Sequence, residues 1–354
     1  MHSQWHAFLE SQGATLNEQG VVTSWGQPDL ERIMVKHGPV RASLAHKGLI
    51  RIQGDEAFNF LQGQLTNDLS NVTDTQAQLS GYCDPKGQLL GLFTVFKIDQ
   101  AWYLHCDPDV TDTVVQRLNL YKLRAQVEIE NVSDQLVQIG YAGEFADLNI
   151  QRLLDTKIKE TYEVQPLEGL DDSYGIKVPG PYHRYLFVAP PQQAETIWQG
   201  LTGNGEATND ADWQLLDVVS GLPRLTQATA GQFIAQFLNL DKLDAINFRK
   251  GCFPGQEVIA RLHFRGKVTK RMVRLHLKDN QAELAPGDTF KLLDQKEKPY
   301  KFTLINAAED IEDGKVCLAI TTLKPLETAQ APLTTEAGQA ATIEPLPYDI
   351  LSED

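Results

Sequence analysis

The chain has 354 residues, of which 42% are hydrophobic and 22% charged, an ordinary balance for a folded protein long enough for two or three domains. Its formal net charge of −15 argues against broad, non-specific affinity for nucleic acid or an anionic membrane. The start, Met1 to Glu10, lacks the basic and apolar blocks of a signal peptide, and no apolar run approaches the roughly 18 residues needed to cross a bilayer, so the expected location is the cytosol.

In chain order, residues 5–19 read as a short helix and residues 49–53 as a half-buried strand. Asp55 is a good N-cap for a helix running to about Gln64, with Phe58, Leu61 and Leu65 on one face. Residues 79–83 read as a strand, Asp84-Pro85-Lys86-Gly87 as a turn, and residues 89–98 and 102–106 as a hairpin. Asp107-Pro108 opens a second helix, with Asp as cap and Pro at the first position, and residues 127–132 form the next strand. This is the split βαβ order, and it recurs: strand 136–141, helix 144–154, strands 173–178 and 182–189, helix 192–201. The polar stretch 202–210 reads as a boundary loop, and a helix from Asp212 stops at Gly221-Leu222-Pro223. Residues 222–260 lack a regular period, and from Arg261 the chain reads as nearly all β. Strands at 268–277, 289–293, 301–307, 315–322 and 340–345 suit a small antiparallel barrel, with turns at Pro286-Gly287-Asp288 and Asp313-Gly314. The expected class is α+β: an N-terminal split βαβ domain over 1–132, a second α+β unit over 133–210, a helix and loop over 211–260, and a C-terminal barrel over 261–354.

The stretch with most chemistry is Lys250-Gly251-Cys252-Phe253-Pro254-Gly255-Gln256-Glu257. Glycines on both sides of a cysteine let backbone approach a partner closely, and Lys250 beside it would favour the reactive thiolate. A cysteine in a glycine-rich turn is also a common small buried residue, and both readings stand on these residues alone. Cys83, Cys106, Cys252 and Cys317 are far apart and form no CxxC pair, so a disulfide framework, a zinc site or a cluster built from them alone is not expected. His37, His46, His105, His183, His263 and His276 make no i,i+4 pair, and no metal is assigned. Between Arg249 and Arg274 there are eight Lys or Arg and one acid, a local surplus of 7 that could be one cationic patch or a solvated face paired with acids elsewhere.

The octapeptide, with Ala260-Arg261 and Arg265-Gly266 after it, resembles the signature of the folate-binding YgfZ proteins, relatives of the T-protein (aminomethyltransferase) of the glycine cleavage system. The resemblance extends through Leu61-Gln-Gly-Gln-Leu-Thr-Asn-Asp68, Asp84-Pro-Lys-Gly87, Gly221-Leu-Pro223, Gly231-Gln-Phe-Ile234 and Ile343-Glu-Pro-Leu-Pro-Tyr348. It implies three domains in a T-protein-like ring around a folate-sized hole. It also implies a role in making or repairing iron–sulfur proteins and, through iron–sulfur enzymes or their assembly factors, in tRNA modification. Cys252 would be the key residue, with Lys250 tuning it and Gly251, Gly255, Gln256 and Glu257 completing the motif. Trp213 is the implied stacking partner for tetrahydrofolate or a related folate, since an indole suits a flat π-system.

Three departures qualify this. Lys47 stands where some relatives carry a second Trp, and Val219 where T-protein relatives place a pterin-binding Glu. Residues 89–93, Leu-Leu-Gly-Leu-Phe, lack the acid with which T-proteins handle the folate amine, so aminomethyl transfer is not expected. Asn67 either closes a turn or contacts the ligand at the mouth of the hole. Arg261 and Arg265 are expected to take the anionic glutamate tail of a folate, with direct tRNA binding as the alternative use of the same basic run. A folate-dependent one-carbon transferase is the alternative activity.

Overall fold

The computed structural model describes residues 1–278, 284–311, 314–323 and 332–352. Two compact units emerge. The first comprises residues 1–57, 70–78 and 94–216, and the second residues 58–69, 79–93 and 217–354.

The first unit holds a six-stranded sheet with spatial order Val164–Pro166, Tyr174–Lys177, His183–Ala189, Val137–Gly143, Val40–Ser43, Glu206–Thr208. The pairing is antiparallel except at the last step, where Glu206 aligns with Val40 in a parallel pair. Residues 202–210 therefore contain a three-residue strand rather than only a loop, and the sheet draws on Val40–Ser43 as well as on the segment after residue 133. Helices Ala146–Leu154 and Pro191–Leu201 cover it, burying Trp198, Ile197, Ile150 and Ala146 against Tyr141 and Phe187. Trp5 and Leu9, one turn apart on the helix Ser3–Ser11, join that core. This helix is shorter than the expected 5–19: Gly13, at φ 94°, ends it, and Thr15–Leu16 pairs with Val22–Ser24 as a small hairpin. The helix Pro28–His37, with Pro in its first turn, was not foreseen.

A second sheet of the first unit pairs residues 94–98 with Ala101–Cys106, then Gly48–Gln53, then Glu128–Asn131. The helix Pro108–Tyr121 buries Val110, Val114 and Leu118. Asp107 occupies its N-cap position, but its carboxylate makes no capping bond; it meets the Lys47 ammonium at 3.3 Å.

In the second unit, a closed barrel of six strands runs in the order Lys270–Leu277, Lys315–Thr322, Pro299–Glu309, Thr289–Leu293, Leu333–Thr335, Ala340–Glu344. Closure leaves no free edge, and alternate residues fill the interior: Val273, Leu275, Leu292, Phe302, Leu304, Cys317 and Ala341. Five of these strands match the sequence reading; Leu333–Thr335 was missed, and Asp313 of the expected Asp313-Gly314 turn lies outside the described residues. The reading failed at Arg261. That residue belongs to a helix, Gln256–Phe264, and the barrel begins only at Lys270. Arg271 ties the barrel to the segment before it, through a two-pronged ion pair with Asp241 at 2.6 and 2.8 Å and a bond to the Gln236 carbonyl.

Candidate functional site

The cysteine loop is assembled within the second unit from three pieces far apart in sequence. The first is the turn at residues 84–87. Asp84 Oδ1 accepts from the amides of Lys86 and Gln88 at 2.8 and 2.9 Å, and Gly87 closes the turn at φ 74° by donating to the Asp84 carbonyl.

The second piece is the loop itself. Asn247 Oδ1 accepts from the amides of Arg249 and Lys250, at 2.8 and 3.0 Å, and so bends the chain into the motif. At the far end Gly255 adopts φ 82° as N-cap of Gln256–Phe264. A Cβ there would lie 2.5 Å from the Asp84 carbonyl oxygen and 2.6 Å from the Gly87 Cα. Gly255 and Gly87 thus lie against each other, which is the physical reason for a glycine in each motif. Phe253 is buried beside them, under the Lys250 ammonium.

The third piece is the segment 62–67, at and just beyond the end of the helix Ala57–Gln62. Lys250 Nζ donates to the carbonyl oxygens of Gln62, Leu65 and Asn67 at 2.8, 2.7 and 2.9 Å. An ammonium has three N–H groups, and all three are taken. With its three N–H groups on carbonyls, Lys250 anchors the loop, and the expected favouring of the Cys252 thiolate would act through its charge rather than through a hydrogen bond to sulfur. Burial pulls its pKa down to about 8, against the opposing pull of Asp68.

Cys252 projects from this anchored loop and is exposed, whereas Cys83, Cys106 and Cys317 are buried. Gly251 and Glu257 are also exposed, and Gln256 is half-buried, with its side-chain amide 3.4 Å from the Lys250 carbonyl oxygen. The arrangement presents one thiol to solvent from a loop held by hydrogen bonds and by close glycine packing.

The other candidates are placed differently. Asn67 is buried; its amide donates to the carbonyls of Leu79 and Asp244 at 2.9 and 2.7 Å, and its Oδ1 accepts from the Asp68 amide. It is a turn-closing residue by geometry. Trp213, in the first unit, is 1% exposed. Gly140 abuts its six-membered ring, where a Cβ would come within 2.4 Å, and the Arg184 guanidinium stands over the ring at 4.8 Å. Lys47, also in the first unit, is buried and paired with Asp107. Arg261 and Arg265 are exposed on and just after the helix Gln256–Phe264. No group of three or more His, Cys, Asp or Glu among the described residues could hold a metal ion.

Sequence reasoning missed Asn247 and the carbonyl acceptors of Lys250. Asn three residues before a buried lysine is a readable turn signal, whereas backbone carbonyls carry no side-chain signature. It also missed the ring cluster of Phe248, His263 and Phe264, which becomes visible only once residues 256–264 are helical.

Comparison with known proteins agrees with this architecture. Residues 32–164 match the family described as GCVT N-terminal domain. Across 98% of the chain the fold superposes on the glycine cleavage system aminomethyltransferase T from Bartonella henselae, with TM-score 0.81, 97% of that chain covered and 15% identity. The chain is 29% identical over 310 residues to the tRNA-modifying protein YgfZ of Klebsiella pneumoniae (strain 342), covering 85% of this chain and 90% of that one. It is 30% identical over 305 residues to the tRNA-modifying protein YgfZ of Escherichia coli O157:H7 (strain EC4115 / EHEC), covering 85% and 91%. A T-protein-like fold, an anchored cysteine loop and this breadth of identity together place the chain in the YgfZ family of tRNA-modifying proteins.

Proposed function

We propose that this chain is a tetrahydrofolate-binding accessory protein of the cytosol that supports assembly or repair of iron–sulfur proteins, and through them tRNA modification, with Cys252 as its working group. The observation that carries the reading is an exposed thiol on a loop fixed at both ends, by Lys250 on three carbonyls and by Gly255 against Gly87. Cys252 is exposed, so core packing does not account for it. The residues fit a folate in part. Arg261 and Arg265 are exposed cations that suit carboxylates. Trp213 would serve as a stacking platform only with Arg184 displaced from its ring. The alternative of an aminomethyl-type transferase is disfavoured because residues 88–98 contain no carboxylate.

The test is calorimetric titration with tetrahydrofolate, which does not depend on tryptophan fluorescence, on the wild type and on Trp213→Phe. Saturable binding by the wild type is expected, together with loss of iron–sulfur-dependent tRNA modification in cells carrying Cys252→Ser, whose folding stability should be unchanged. Absence of binding, or sustained release of methylene-tetrahydrofolate from an aminomethyl donor, would overturn the reading.

A further inference from the structure

The basic run after the cysteine loop sorts into two sets. Lys250, Arg271 and Arg274 are committed to internal partners: the three carbonyls, Asp241, and Glu344 with the Val219 carbonyl. Arg249, Arg261, Arg265, Lys267 and Lys270 are exposed, and Glu257 is the one acid between residues 249 and 274. Among these cations stands a ring cluster. Phe248 and His263 stack with centroids 3.8 Å apart and planes 9° from parallel. Phe264 meets both edge-on, at 6.0 and 4.6 Å, and is itself 65% exposed.

A glutamate tail would use the cations and leave the rings idle. An unpaired nucleotide uses both, since its base has a π-face and its flanking phosphates are anionic. We infer, building on the proposed role in tRNA modification, that this surface binds a single-stranded segment of a folded RNA. In this arrangement the Phe248–His263–Phe264 cluster stacks a base, and Arg249, Arg261, Arg265 and Lys267 hold its phosphates. The net charge of −15 disfavours a long duplex, whose extended run of phosphates the chain as a whole would repel. On this inference Arg261 and Arg265 meet RNA phosphates, and their use by the glutamate tail of a folate is the competing occupancy.

The experiment measures, with the full chain and over a range of salt, the binding of an unmodified tRNA transcript, a single-stranded oligonucleotide of about 8 nucleotides and a blunt RNA duplex, a length within the usual single-strand site size. Single strand and tRNA should bind and the duplex should bind more weakly, with a log–log salt slope of about −3 for four phosphate contacts. Phe264→Ala should weaken binding about 5- to 100-fold with the slope unchanged. Arg265→Glu should flatten the slope. Phe264 is exposed, so its thermal unfolding should match the wild type; Phe264→Tyr, which keeps a ring, should retain binding. The inference is overturned by equal binding of duplex and single strand, by unchanged affinity in Phe264→Ala, or by a change of oligomeric state in that variant, which would make the rings a contact between copies. Polyglutamylated tetrahydrofolate preferred over monoglutamate and displacing RNA would also overturn it. Tetrahydrofolate binding measured on the same variants separates the two readings: its absence in every protein, with RNA still bound, removes the folate proposal alone.

Discussion

Three of the four thiols are 4% exposed or less, and burial raises each of their pKa values, to about 12 for Cys106 and Cys317. A thiol held in that way is inert at neutral pH, since only the thiolate attacks. Cys252 should therefore be alkylated first at pH 7. Mass spectrometry of a time course checks this, and Cys252 emerging as the slowest of the four would refute it. Lys250 gives a second prediction at the same scale. Its pKa in the folded chain is about 8, below the ordinary value of 10.5. Between those two values the folded chain has released the proton and the unfolded chain has not, so the unfolded state binds more protons and stability rises with pH. Denaturant unfolding of wild type and Lys250→Met across that window should show the difference in stability moving in favour of the wild type as pH rises. A difference that is flat, or that falls, would mean the ammonium is not desolvated as described. Below pH 8, Lys250→Met should be the less stable protein by about 3 kcal/mol, because three carbonyls, two of them in buried contacts, lose a charged donor.

At the level of the element, the two glycines of the motif are not equivalent. Gly255 is in the left-handed region with backbone closer than 3 Å to any added Cβ, whereas nothing lies within 4 Å of one at Gly251. Gly255→Ala should cost about 1–3 kcal/mol or more and loosen the cysteine loop, while Gly251→Ala should be tolerated within about 1 kcal/mol. Thermal unfolding of the pair decides it; equal destabilisation would show that the contact with Gly87 is not what fixes the loop. The helix Gln256–Phe264 that follows was misread because the basic run after it suggested a strand. Its signals were present, in Gly255 before it, Gly266 after it, and Ile259 as its buried residue, but nine residues give too few repeats of a helical period to outvote the β pattern beyond.

Across the whole molecule, what could be read was what the chain states locally. Barrel strands announce themselves by alternation and turn residues, and helices such as Pro108–Tyr121 by a Pro start and a spaced apolar face. What could not be read is pairing over distance. Glu206–Thr208 is three residues long and finds its partner Val40–Ser43 more than 160 residues earlier, so no window of sequence contains the evidence. Trp213 shows the same limit for function, since neither Gly140 nor Arg184, which enclose it, is near it in the chain. The motif containing Cys252 was found as a string of residues, but its support was not, because that support is made of carbonyls and of space left by missing Cβ atoms.

That support also dictates a timetable. The carbonyls of Gln62, Leu65 and Asn67 wait for a lysine 183 to 188 residues downstream. Contacts of such separation form slowly, because a long loop must close before they can stabilise anything. The 62–67 segment is therefore made long before its partner, and the loop that carries Cys252 can be fixed only after more than two thirds of the chain has been synthesised.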